Sequence, residues 1–64
     1  MQFIPNERVN YLLERNVAYV VKRFSLYGAY TDDYLIRYDA KNTNGQIVTV
    51  YVWVFNWQLE KVRQ

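Results

Sequence analysis

The most regular pattern of hydrophobic positions lies between Gln46 and Trp57, where both alternating sets of residues are largely apolar. Side chains of a β-strand alternate between two faces, so one face carries small residues and the other carries large ones. The first set is Val48, Val50, Val52 and Val54, and the second is Ile47, Thr49, Tyr51, Trp53, Phe55 and Trp57. The pattern predicts a strand over 46–57 that needs cover on both faces.

A second alternating segment precedes it, from Tyr34 to Ala40. Tyr34, Ile36, Tyr38 and Ala40 share one face of this predicted strand, and Leu35, Arg37 and Asp39 share the other. The intervening Asn42-Thr43-Asn44-Gly45 has the composition of a tight turn, so the two strands are expected to form an antiparallel hairpin.

The first part of the chain fits two structures. Asn6 is placed to cap a helix, and Val9, Leu12 and Leu13 form a short apolar stripe at helical spacing, which predicts a helix over 7–15 followed by a strand over 17–26. The alternative is one long helix over 7–27 that stops at Gly28. The first is favoured because residues 17–21 are rich in strand-forming types. The tail, 58–64, is expected to be a last helical turn or a frayed end.

These elements predict an α+β fold in one small domain, residues 1–64. A short N-terminal helix would pack on a three-stranded antiparallel β-meander. The alternative fold is the long helix, 7–27, against a two-stranded hairpin, which would bury less surface and depend more on a partner.

The turn leaves two hairpin registers open, and they expose opposite faces. A two-residue loop at Asn44-Gly45 puts the aromatic face of 46–57 into the core with Tyr34 and Ile36. A three-residue loop with Gly45 in a left-handed bulge puts the valines there instead, and the aromatic residues turn outward beside Arg37. Aromatic side chains bury more area than valines, so the first register is expected.

The amino-acid composition limits the reactions and metal sites that the chain could support. The chain has no cysteine and no histidine, which argues against disulfides, thiolate nucleophiles, His-based triads and most zinc sites. The adjacent Asp32 and Asp33 are interpreted as turn residues rather than as a metal site or an acid–base pair. We therefore expect no enzyme, no cofactor and no metal. Acidic and basic residues are interspersed and the net charge is +2, which does not favour strong nucleic-acid binding.

The expected function is that of a small non-catalytic protein-binding module, acting as an inhibitor or adaptor or by self-association through its aromatic sheet. Aromatic and arginine side chains dominate binding hot spots, so the candidate partner-binding residues are Arg37, Tyr51, Trp53, Phe55 and Trp57. Weak binding of single-stranded nucleic acid through the aromatic face is the alternative, and an enzyme comes third. The partner is expected to be another protein, a second copy of the chain, or both. Charges in the first fifteen residues predict no signal peptide or membrane segment and a cytoplasmic location.

Overall fold

The computed structural model of the chain describes residues 2–24 and 33–62, and these form one antiparallel sheet. Along the sheet the strand order is β4-β3-β2-β1-β5, so β4 and β5 are the two edges. A single turn of 3-10 helix, η1, connects them. The elements are β1 Arg8–Tyr11, β2 Asn16–Phe24, β3 Asp33–Lys41, β4 Ile47–Phe55, η1 Asn56–Gln58 and β5 Leu59–Lys61.

The predicted α+β class is wrong, because residues 7–15 are not helical. Val9 and Tyr11 alternate with polar neighbours and are buried in β1, so the period in this segment is two rather than three to four. Leu12 and Leu13 lie exposed in the turn that follows. Asn6 has a φ of 70°, which is incompatible with the extended backbone of a helix cap. The short helix is therefore a strand and a turn.

Two further predictions about the ends of the chain are corrected. The alternative long helix over 7–27 is also wrong, since β2 is extended from Asn16 to Phe24; residues 25–27 lie outside the described part of the chain. The tail is neither a helical turn nor frayed at Leu59–Lys61, which forms β5 and pairs with β1. Asp33, interpreted from the sequence as a turn residue, is instead the first residue of β3, and Asp32 lies outside the described residues. The described sheet thus has five strands instead of three: β1 to β4 follow one another as a meander, and β5 lies beside β1.

The hairpin between β3 and β4 uses the three-residue loop, so the expected two-residue register is wrong. Asn42 N–H donates to the Gln46 carbonyl at 2.9 Å, and Gly45 has a φ of 80°, the left-handed conformation of this bulge. The Asn42 side-chain oxygen also accepts the backbone N–H groups of Asn44 and Gln46, at 2.9 and 3.0 Å. These bonds stabilise the longer loop specifically, and the register they set turns the valines of β4 inward.

The sheet is strongly curled, as its connectivity requires. In a flat sheet, four strand spacings of about 4.8 Å would separate β4 from β5 by about 19 Å. The chain crosses from Phe55 to Leu59 through η1, and four residue steps span at most about 14 Å even when extended. The two edges must therefore approach each other at this end. In agreement, Val54 and Leu59 belong to the same buried cluster, and Leu12 N–H donates to the Gln58 carbonyl at 3.0 Å.

The core lies on the inner face of this curled sheet. It also receives one residue from the segment before β1, since Phe3 packs edge-on against Tyr34 with ring centroids 5.4 Å apart. Phe3 N–H donates to the Tyr34 hydroxyl at 3.0 Å, which satisfies a buried polar group. The buried side chains are Phe3, Val9, Tyr11, Ala18, Val20, Tyr34, Ile36, Val54 and Leu59. Within the described residues, the core thus forms without the aromatic residues of β4.

We predict that Phe3→Ala lowers the free energy of unfolding by about 3–5 kcal/mol, because it leaves a cavity over Tyr34. The adjacent Ile4 is 67 % exposed, so Ile4→Ala should change stability by about 0.5 kcal/mol or less. Urea denaturation followed by circular dichroism measures both. Equal effects of the two substitutions would show that the N-terminal segment does not close the core.

Candidate functional site

The side of the sheet opposite the core, called here the outer face, carries a row of alternating cationic and aromatic side chains. The strand registers set Arg8 opposite Tyr19, Tyr19 opposite Arg37, and Arg37 opposite Tyr51. Directly opposed side chains on one face of a sheet are close enough to interact. The Arg37 guanidinium carbon lies 4.7 Å from the centre of the Tyr19 ring, a cation–π contact that keeps the guanidinium against the outer face.

A second row lies beside the first and includes Lys22, Leu35 and Trp53. Lys22 reaches across Leu35, and its ammonium lies 5.7 Å from the centre of the Trp53 ring. Lys22 belongs to this face because β2 is irregular between Val20 and Lys22, where a bulge shifts the alternation by one residue.

Trp57 extends the aromatic surface past the end of β4. Its ring stacks on Phe55, with centroids 5.6 Å apart and planes 13° from parallel. Because Trp57 lies in η1, the short turn that leads to β5, it borders a shallow depression shared with Leu12 and Leu13. The stacked pair therefore joins the outer face to the exposed β1–β2 turn.

Large aromatic side chains on the outer face remain substantially exposed to solvent. Tyr51 is 60 % exposed, Trp53 50 % and Trp57 65 %. Single exposed apolar residues are ordinary, but a contiguous group of this size commonly marks an interaction surface. The outer face thus has the composition and exposure of a binding surface.

The charges on the outer face are not neutralised in pairs. Neither Lys22 nor Arg37 forms an ion pair with a carboxylate among residues 2–24 and 33–62. Asp39 accepts a hydrogen bond from the Thr49 hydroxyl at 3.1 Å. On the inner side, the Lys61 ammonium lies 3.1 Å from a Glu7 carboxylate oxygen. Lys22 and Arg37 therefore have capacity for a carboxylate from another molecule.

The described part of the inner face is used for packing rather than for binding or catalysis. Burial raises the pKa of the Tyr38 hydroxyl above its ordinary value, with smaller contributions in the same direction from Glu14 and Tyr11. Tyr38 therefore stays protonated at neutral pH and acts as a packing residue against the Tyr11 ring, 5.6 Å away. Among the described residues, no three His, Cys, Asp or Glu side chains are grouped to hold a metal ion.

The five residues named from the sequence lie together. Arg37, Tyr51, Trp53 and Phe55 occupy adjacent positions on β3 and β4, and Trp57 is stacked on the last of them. The sequence analysis missed Tyr19 and Lys22 on β2. Tyr19 could have been found from the alternation with buried Ala18 and Val20, but Lys22 could not, because the bulge breaks that alternation.

Comparison of the chain with protein-family models, with curated proteins and with solved structures found no match. Within the part of the chain that the structure describes, no helix is long and apolar enough to cross a membrane.

Proposed function

We propose that this chain is a small non-catalytic protein-binding module whose outer face binds an apolar protein segment that carries a carboxylate. The observation that supports this most directly is the contiguous exposed surface of Tyr51, Trp53, Phe55 and Trp57. It lies beside Lys22 and Arg37, which form no ion pair within residues 2–24 and 33–62. We place the proposed site of action in the cytoplasm.

The energetics of folding support a binding role for these aromatic residues. The buried cluster already contains Phe3, Tyr11 and Tyr34, so the chain has an aromatic core without using the large residues of β4. Side chains such as Trp53 keep much of their apolar area in water, and covering it on binding is worth about 25 cal/mol per Å². Covering these side chains with a partner therefore contributes free energy to binding that folding of the isolated chain does not use.

The arrangement of charge supports an acidic partner. Arg37 is held on the Tyr19 ring and Lys22 on the Trp53 ring, so both cations are positioned beside the apolar surface before a partner arrives. Pre-positioned side chains lose less conformational entropy on binding. A carboxylate placed next to an aromatic or aliphatic anchor would contact a cation and the apolar surface together. An inhibitor or adaptor acts in this way, by occupying a surface of its target.

The test is a selection of peptides from a random display library on the immobilised protein. We expect the selected peptides to combine Asp or Glu with aromatic or aliphatic residues. Trp53→Ala should weaken their binding at least about 30-fold, the effect of losing a hot-spot side chain. The same substitution should lower the free energy of unfolding by only about 1 kcal/mol, because the side chain is half exposed.

Ile4→Ala is the matched control, since Ile4 is exposed and apolar but belongs to the N-terminal segment on the inner side. It should leave peptide affinity unchanged, and Arg37→Ala should weaken acidic peptides more than neutral ones. Equal affinities for Trp53→Ala and Ile4→Ala would overturn the proposal.

A second candidate function is weak binding of single-stranded nucleic acid. The observation in its favour is the placement of Lys22 and Arg37 over aromatic rings, since bases stack on such rings while cations hold phosphates. Asp33 and Asp39 lie on β3 with Arg37, and their carboxylates reduce the attraction of this face for a polyanion.

This second function predicts that a short oligothymidylate quenches Trp53 fluorescence at low salt and releases at high salt. Trp53→Ala should remove most of the signal, whereas Trp57→Ala should retain it. The absence of quenching at low salt would exclude nucleic acid and leave the protein-binding function as the surviving proposal.

A further inference from the structure

The free edge of β4 has a row of backbone groups that face away from the sheet. Asn42 N–H donates to the Gln46 carbonyl, so these two residues form a hydrogen-bonded pair at the start of the β3–β4 ladder. In an antiparallel ladder such pairs alternate with pairs that do not bond. The backbone groups that point away from β3 are therefore those of Ile47, Thr49, Tyr51, Trp53 and Phe55.

The hydrogen bond at one end of this row agrees with that assignment. Phe55 N–H donates to the Gln58 side-chain oxygen at 2.9 Å, so this outward group is satisfied by η1. For Ile47, Thr49, Tyr51 and Trp53, no described residue lies beyond β4 to accept or donate, because β4 pairs with β3 alone in the sheet. The free edge thus extends from Ile47 to Trp53.

This edge lacks the features that normally prevent strand pairing. Exposed edges are usually short, charged, interrupted by proline or bulged. The opposite edge of this sheet follows that rule, since β5 has three residues and two of them are Glu60 and Lys61. By contrast, β4 has nine residues in unbroken register with β3, and no charged residue occurs anywhere between Asn42 and Leu59.

We propose that β4 pairs antiparallel with β4 of a second copy, about a two-fold axis at Val50. Outward-facing backbone groups bond only to outward-facing groups, so odd-numbered residues must pair with odd-numbered residues. The register that uses the whole free edge sets Ile47 opposite the partner's Trp53 and Thr49 opposite the partner's Tyr51. These pairings exchange about eight backbone hydrogen bonds across the axis.

The two faces of the paired strands are self-complementary in this register. On the outer face, the β-branched residues Ile47 and Thr49 lie beside the aromatic residues of the partner, a favourable cross-strand combination. On the inner face, Val48 lies beside the partner's Val52, and the two Val50 side chains meet at the axis. Pairing covers Ile47, which is 70 % exposed in the single chain, and brings no two charges together.

The dimer does not rest on the proposed binding function, because it uses the edge of β4 rather than the outer face. It would nevertheless make the outer faces of two copies continuous. Loss of dimerisation with peptide binding intact, or the reverse, separates the two proposals.

The first test replaces Thr49 by proline. The Thr49 N–H points to the free edge, so the β3–β4 ladder keeps its hydrogen bonds while the second copy meets the proline ring. Thr49→Ala is the control, because it also removes the hydroxyl bond to Asp39. Light scattering over a concentration series should give twice the 7.8 kDa chain mass for the native sequence and for Thr49→Ala. Thr49→Pro should weaken the dimer at least tenfold.

The second test measures the register of the proposed β4–β4 pairing. It also shows whether the dimer forms if Thr49→Pro unfolds the chain. Val50→Cys places the chain's sole thiols opposite each other in a non-hydrogen-bonded pair, where Cα atoms are about 4.5 Å apart and a disulfide fits. On mild oxidation it should crosslink much faster than Asn44→Cys in the exposed turn. A monomer at concentrations up to those of an NMR sample, or equal crosslinking of the two variants, would overturn the proposal.

Discussion

The hydrogen bonds around Asn42 determine which side of β4 faces the core, and most other properties of the molecule depend on them. The Asn42 backbone and side chain together bond Gln46, Gly45 and Asn44, and Gly45 accepts the left-handed backbone that the bulge requires. Removing one residue from this loop would exchange the two faces of β4. The native loop places valines inside and Tyr51 and Trp53 outside.

The outer surface can be aromatic because the core is built from residues elsewhere in the chain. The segment before β1 places Phe3 against Tyr34, and the curl imposed by η1 brings Leu59 into the same cluster as Val54. A chain of 64 residues has little surface to bury, so such local cover is needed for stability. Because so few residues are available, the outer face and the β4 edge have no partners among the described residues.

Part of this structure could be predicted from the sequence. The alternation in 34–40 and 46–57 indicates two strands, and Asn42–Gly45 indicates the turn between them, because period-two burial and turn chemistry are local properties. The five candidate binding residues followed from the same alternation. The helix over 7–15 was wrong because a four-residue strand such as β1 gives too short a pattern to be distinguished from the stripe of Val9, Leu12 and Leu13.

The register is set by local bonds around Asn42, but the burial comparison used to predict it, and the full extent of the site, depend on contacts that are not local. Burial arithmetic favoured aromatic residues inside, but it compared areas without including Phe3, whose position is set by its bond to Tyr34. The position of Lys22 depends on a bulge in β2 that the sequence around Lys22 does not indicate. Strand β5 is only three residues long, and its pairing with β1 follows from the curl of the sheet rather than from its composition.

The central claim is that β4 faces the core with its valines and the solvent with its aromatic residues. The most direct test compares the adjacent substitutions Val54→Ala and Trp53→Ala in urea denaturation at a concentration low enough to keep the chain monomeric. Val54 is 4 % exposed, so Val54→Ala should cost about 2 kcal/mol, more than the roughly 1 kcal/mol expected for Trp53→Ala despite the far larger side chain removed in the second. A loss of several kcal/mol for Trp53→Ala with little effect of Val54→Ala would contradict this account.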